Sequence, residues 1–287
     1  VFQPASGKPA PPTPPTPPSG GGEPAPEPAP EPEVTVEPDG SAQVTLPEEG
    51  VSHTVRVPVS HWTPGTTAVL VYPDGTEKLL KKAVGLDGQV NVTLDRSARV
   101  VFRDRTPSFT DVPGHWAEAP IAFASSHELF QGTGNGTFSP EEPMNRAMLA
   151  TVLYRLEDSP QTSAGAAFPD VDNSSYYSKA AAWANKTGIV LGSGGSFLPG
   201  QNITRQELAA MVYRYAEAFG MDTSRRASLA GFSDSGSCAP WARDALSWAV
   251  SAGLLHGREN SRLAPGGSAT RAEVAAILQR LLEYAAA

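Results

Sequence analysis

The sequence predicts a multidomain chain: a disordered Pro-rich linker, a small antiparallel β-domain, then an all-α region of three helix-loop-helix repeats around a pseudo-threefold axis. Three observations carry this. Thirteen of the 28 prolines fall within the first 33 residues, two Asp-Gly turns sit between valine- and threonine-rich runs, and one motif recurs three times after Phe109. A length of 287 residues leaves room for about two domains of ordinary size.

The net charge of -8 and pI near 5.2 exclude nucleic acid and anionic membrane as expected partners, because both require a basic face. Any anion must therefore be caught locally. A single cysteine, Cys238, excludes internal disulfides and thiolate zinc clusters. No apolar run approaches the roughly 20 residues of a membrane span, and no signal-peptide pattern opens the chain. The start at Val1 reads as that of a fragment or mature portion of something longer.

Residues 1–33 contain "KPAPPTPPTPPSGGGEPAPEPAPEPE", which has no large apolar side chain and many positions without a backbone donor. The expectation is a semi-rigid polyproline spacer with a joint at Gly20 to Gly22. Residues 34–105 change to period-2 alternation. "EVTVEPDGSAQVTL" and "AVLVYPDGTEKLL" each place Asp-Gly between strand-like halves, a strong hairpin signal, and "VSHTVRVPV", "GQVNVTL" and "ARVVF" supply further strands. A small β-sandwich-like domain follows, with a structural or spacer role; nothing positions His53, His61 or Trp62 as a site.

The remainder divides into repeats over residues 106–165, 166–229 and 230–287. "SFTDVPGHW", "AFPDVDNSSYY" and "GFSDSGSCAPW" each give Phe, then Asp two residues later, then an aromatic: Trp116, Tyr176 (or Tyr177) and Trp241. Downstream, Phe138, Phe197 and Leu263 each stand eight residues before Arg146, Arg205 and Arg271, with Pro140, Pro199 and Pro265 six before. A first helix is expected to begin at the aromatic, and a second to follow the arginine. The second carries the stripes Leu149, Val152, Leu153, Leu156; Leu208, Met211, Val212, Tyr215; and Val274, Ile277, Leu278, Leu281. One helix pair cannot bury its own apolar face, whereas three sharing a register can. Thr204 with Glu207 and Thr270 with Glu273 form capping boxes; Asn145 lacks the glutamate, having Met148 instead. Glycine-rich loops holding Gly132, Gly192 and Gly257 separate the helices.

The arginines stand at the first helical position, where the macrodipole disfavours a cation. Such a residue either extends into solvent, pairs with the N3 glutamate, or faces an anion. Asp111, Asp170 and Asp234 either accept hydrogen bonds from a ligand or cap turns. The phenylalanines, with Trp183 and Trp248, read as core.

These motifs, Phe-x-Asp-Val, an aromatic, an alanine-rich helix, a glycine loop, Phe-x-Pro and Thr-Arg-Ala-Glu, resemble the S-layer homology (SLH) domain, three times over about 60% of the chain. The resemblance implies a pseudo-threefold trimer of repeats. It implies noncovalent anchoring to anionic cell-wall polysaccharide or a peptidoglycan-linked polymer, typically ending in pyruvylated N-acetylmannosamine, in grooves between repeats. It also implies a secreted protein at the bacterial cell surface, with S-layer proteins as further partners and no cofactor. Arg146, Arg205 and Arg271 would hold the ketal carboxylate bidentately, helped by helix N-terminal amides. Trp116, Tyr176 and Trp241 would offer flat faces to a sugar, Asp111, Asp170 and Asp234 would accept its hydroxyls, and Gly132, Gly192 and Gly257 would let backbone approach it. Because the first copy lacks the glutamate, the grooves of Arg205 and Arg271 are expected to outrank that of Arg146.

No enzyme is expected. The five histidines lack metal-ligand spacing, and no nucleophile elbow is present. The alternatives are a protein-interaction or S-layer assembly module, and the anchor of a hydrolase whose catalytic domain lies outside this sequence.

Overall fold

Two sheets come first in the computed structural model, which describes residues 30–163 and 168–287. Most of the expected linker, and the expected boundary between the first two repeats, lie outside the described residues. Strands β1 (Glu33–Val36) and β2 (Ala42–Thr45), and β4 (Thr66–Val71) and β5 (Glu77–Leu80), form the two Asp-Gly hairpins. Both turns close alike. Glu37 N–H donates to Ser41 O at 2.8 Å and Tyr72 N–H to Thr76 O at 2.9 Å, with Gly40 and Gly75 both at φ +82°, where a side chain would be strained.

Strands β3 (His53–Pro58), β7 (Gln89–Leu94) and β8 (Ala98–Asp104) match the other predicted runs. The two-residue β6 (Gly85–Leu86) was not predicted, since so short a strand carries no period. One antiparallel sheet runs β1-β2-β8-β4-β5 and the other β3-β7-β6. Their inward residues, among them Val44, Leu70 and Val100 from one and Val57, Val90 and Val92 from the other, share one core. That makes the β-region a two-sheet sandwich.

Six α-helices follow among the described residues: α1 (Glu118–Ser126), α2 (Arg146–Leu156), α3 (Ser178–Lys186), α4 (Arg205–Ala218), α5 (Arg243–Ser251) and α6 (Arg271–Ala286). Every residue of the three expected stripes is buried, as are Trp183 and Trp248. One expectation is corrected: α1, α3 and α5 begin two residues after Trp116, Tyr176 and Trp241 rather than at them. The aromatics thus precede the α-helices, Trp241 within a 3-10 turn at Pro240–Ala242, and stand 58%, 67% and 56% exposed.

Helix pairing is cyclic between copies: α1 packs on α6, α3 on α2 and α5 on α4. The segments entering the second helices close a ring of three hydrogen bonds. Met144 N–H donates to Ala269 O (2.9 Å), Ala269 N–H to Ile203 O (2.9 Å), and Ile203 N–H to Met144 O (2.8 Å). All three residues are fully buried, so the ring removes six backbone polar groups from water while satisfying them.

Residues Pro32 to Ala287 form one compact unit. His127, fully buried after α1, has Nδ1 2.8 Å from Phe123 O and Nε2 3.2 Å from Ala83 O of the β-region. Lys81 Nζ donates to Arg155 O at 2.9 Å and pairs with Asp158 at 3.2 Å.

Candidate functional site

The three N1 arginines do not extend into solvent: Arg146, Arg205 and Arg271 are 7%, 3% and 5% exposed. Each crosses to the next copy. Arg146 Nε donates to Phe197 O (2.8 Å), Arg205 Nε to Leu263 O (2.9 Å) and Arg271 Nε to Phe138 O (2.8 Å). The first-turn amides do the same. Arg146 N–H and Ala147 N–H meet Gln201 O and Pro199 O, Arg205 N–H and Gln206 N–H meet Gly267 O and Pro265 O, and Arg271 N–H and Ala272 N–H meet Glu142 O and Pro140 O. This corrects the expectation that these amides face an anion, because carbonyls of the neighbouring loop already occupy them. The same carbonyls offset the positive helix end and make a cation at N1 tolerable.

Around each arginine lies a groove assembled from three copies. Arg205 shares a groove of 1120 Å³ with Gly257 and Trp116. Arg146 shares one of 330 Å³ with Gly192 and Trp241, and Arg271 one of 270 Å³ with Gly132 and Tyr176. In each case the arginine comes from one copy, the glycine loop from the next and the aromatic from the remaining one. Tyr176 therefore stands where Trp116 and Trp241 stand, while Tyr177 turns inward toward Phe197. An exposed aromatic, a buried guanidinium and a loop at one groove can stack on a ring and hold an anion together.

The aspartates are placed differently. Asp111 accepts Phe138 N–H (2.8 Å) and Ser139 N–H (2.7 Å), Asp170 accepts Phe197 N–H (2.8 Å) and Leu198 N–H (2.7 Å), and Asp234 accepts Leu263 N–H (2.7 Å) and Ala264 N–H (2.9 Å). Burial works to raise each carboxyl, but the paired N–H donors outweigh it and hold each below its ordinary value. Both oxygens thus pin the Phe-x-Pro turn, the capping alternative. Asp234 also borders the Arg205 groove. The glycines face rings rather than open space: a Cβ at Gly132, Gly192 or Gly257 would stand within 2.9 Å of Phe109, Phe168 or Phe232.

The capping-box glutamate also serves across copies. Glu207 Oε1 lies 3.4 Å from Arg146 Nη1, and Glu273 Oε1 2.8 Å from Arg205 Nη1. The counterpart facing Arg271 is Met148, which lines that groove. The missing glutamate of the first copy therefore belongs to the groove of Arg271, not Arg146, and the basis for ranking Arg146 last is corrected.

Arg155, Arg214 and Arg280 were missed by sequence reasoning. Each stands nine residues after an N1 arginine, lines the neighbouring groove, and donates to a carbonyl of its own copy, Leu129 O (3.4 Å), Ile189 O (3.5 Å) and Leu254 O (3.2 Å). The recurring spacing was the available signal. It reads as an ordinary solvent-facing charge until the fold turns it into the groove.

A family model for the S-layer homology domain matches residues 108–148, 167–209 and 231–275, each segment ending just past an N1 arginine. An amylopullulanase of Thermoanaerobacterium thermosulfurigenes is 28% identical over 241 residues, 84% of this chain and 13% of that protein. An exoglucanase of Acetivibrio thermocellus is 29% identical over 179 residues, 62% and 16% respectively. S-layer protein sap of Bacillus anthracis is 25% identical over 206 residues, 66% and 23%. The chain spans less than a quarter of the length of these relatives.

Proposed function

Because this chain is an S-layer homology domain protein with three tandem copies in its C-terminal part, we propose that the helical region is a noncovalent cell-wall anchor. It binds a secondary cell-wall polysaccharide at the bacterial surface, through pyruvylated N-acetylmannosamine termini held in the inter-repeat grooves. The observation that carries this reading is the repeated composition of those grooves: one buried arginine, one exposed aromatic and one glycine loop, each from a different copy. A ketal carboxylate takes the guanidinium, and the sugar ring lies on Trp116, Tyr176 or Trp241. The closed ring of Met144, Ala269 and Ile203 and the cyclic helix pairing support a pseudo-threefold trimer of repeats, over the boundaries 106–165, 166–229 and 230–287.

Relatives named as hydrolases and as S-layer proteins match the chain over a small share of their own length. A part common to such different proteins fits an addressing role better than a chemical step. The same finding favours a second reading, the anchor of a hydrolase whose catalytic domain lies beyond this sequence.

The test is binding of the purified chain to cell-wall sacculi before and after chemical removal of the polymer, and separately of its ketal. Loss of binding in both treatments is expected. Undiminished binding to stripped wall would refute the polymer reading and favour the interaction module, in which the arginines pair with acidic side chains of another protein.

A further inference from the structure

Resting on the wall-polymer reading, we propose that the Arg271 groove is the primary anion site of this chain and that Met148 makes it so. The N3 residue of each second helix is delivered to the arginine of the preceding copy. At Arg205 that residue is Glu273, and each guanidinium nitrogen has a protein partner: Nε donates to Leu263 O, Nη1 to Glu273 (2.8 Å) and Nη2 to His256 O (2.6 Å). Glu273 is held in place by Arg258 as well, at 2.7 Å. An incoming carboxylate must compete with Glu273 for Arg205 and meets its negative charge. At Arg146 the partner is Glu207, at 3.4 Å.

Arg271 has no such partner. Its Nε and Nη2 donate to Phe138 O and Gln131 O, both at 2.8 Å, while Nη1 has no hydrogen-bond partner among the described residues. The side chain is nearly all buried and lies 4.5 Å from the centroid of Phe138, yet it lines the groove. Arg155 lines the same groove, and no carboxylate does. Glu142, exposed on the surface, and Asp111, whose oxygens both accept backbone N–H groups, act on Arg271 through their charge without a hydrogen bond to it. A buried guanidinium with an open donor and a second arginine nearby is an incomplete ion pair, which a carboxylate ligand completes without displacing a protein group.

The test is calorimetric titration of the full chain with the pyruvate ketal of N-acetylmannosamine, comparing wild type with Met148→Glu, Met148→Gln and Glu273→Gln. Met148→Glu should weaken uptake about tenfold or more by filling the vacancy, and Met148→Gln should leave it within about threefold. Glu273→Gln should add a second site. Thermal melts establish that each variant folds. Uptake by Met148→Glu equal to that of wild type overturns the proposal, as does loss of uptake in Arg205→Ala with uptake kept in Arg271→Ala. If wild type takes up no ketal, the polymer reading falls separately. The groove assignment is then decided by titrating acetate against the arginine side-chain nitrogen resonances: first movement at Arg271 supports it, and first movement at Arg146 or Arg205, or none at Arg271, overturns it.

Discussion

Replacing the loop glycines one at a time with alanine separates their packing role from a ligand-facing one. At Gly192 a Cβ would lie 2.7 Å from Phe168 Cε1 and 3.0 Å from Ser196 O, on a backbone at φ +77°. At Gly257 the distances are 2.8 Å to Phe232 Cε1 and 3.3 Å to Arg262 O, with no positive φ. Phe168 is stacked on Phe197 with centroids 5.6 Å apart, so it has little room to retreat. Overpacking of this kind costs about 1–3 kcal/mol. The left-handed backbone adds roughly 1–2 kcal/mol for alanine, so Gly192→Ala should lose about 2–5 kcal/mol and Gly257→Ala about 1–3 kcal/mol. The assay is urea unfolding of the full chain followed by circular dichroism and tryptophan fluorescence. If Gly192→Ala unfolds at the wild-type midpoint while sacculus binding is lost, the glycine faces ligand and the packing argument is wrong.

Two pH-dependent predictions follow from groups whose protonation is disfavoured on folding. Asp111, Asp170 and Asp234 lie below their ordinary values because backbone N–H donors outweigh burial, so their stabilisation is present above about pH 4 and is lost as pH falls through the folded values. Asp170→Asn should flatten the acid limb of thermal stability below about pH 4, and an unchanged slope would count against the role given to this carboxylate. Burial likewise lowers the His127 imidazole, so its contribution is complete above about pH 6.5 and declines as pH falls below that. His127→Gln should remove the difference in unfolding midpoint between pH 7.5 and pH 5; a difference of wild-type size in the variant would show that the effect arises elsewhere.

The β-region was legible almost strand by strand because its signals are local. Alternation identifies a half-buried strand, and Asp-Gly identifies the turn at Gly40 and at Gly75. The second helices were equally legible, since a cap at Asn145, Thr204 or Thr270 and a stripe of four apolar residues over about two turns are read within one segment. The first helices were placed too early because an aromatic such as Trp241 continues the apolar period of Ala245 and Trp248. The backbone places Trp241 in a 3-10 turn, Pro240–Ala242, that leads directly into the α-helix at Arg243.

By itself the sequence determined the repeat, the register of its core and the presence of three misplaced cations, because repetition and period survive in one dimension. Tertiary structure alone decided whom those cations meet. Their partners lie in another copy, 51 to 140 residues away along the chain: Phe197 and Glu207 for Arg146, Leu263 and Glu273 for Arg205, Phe138 and Gln131 for Arg271. Within one copy, Met148 looks like a defect of its own capping box. Its effect falls on an arginine 123 positions away, because the hydrogen-bonded segments entering the second helices bring each N3 side chain to the neighbouring copy.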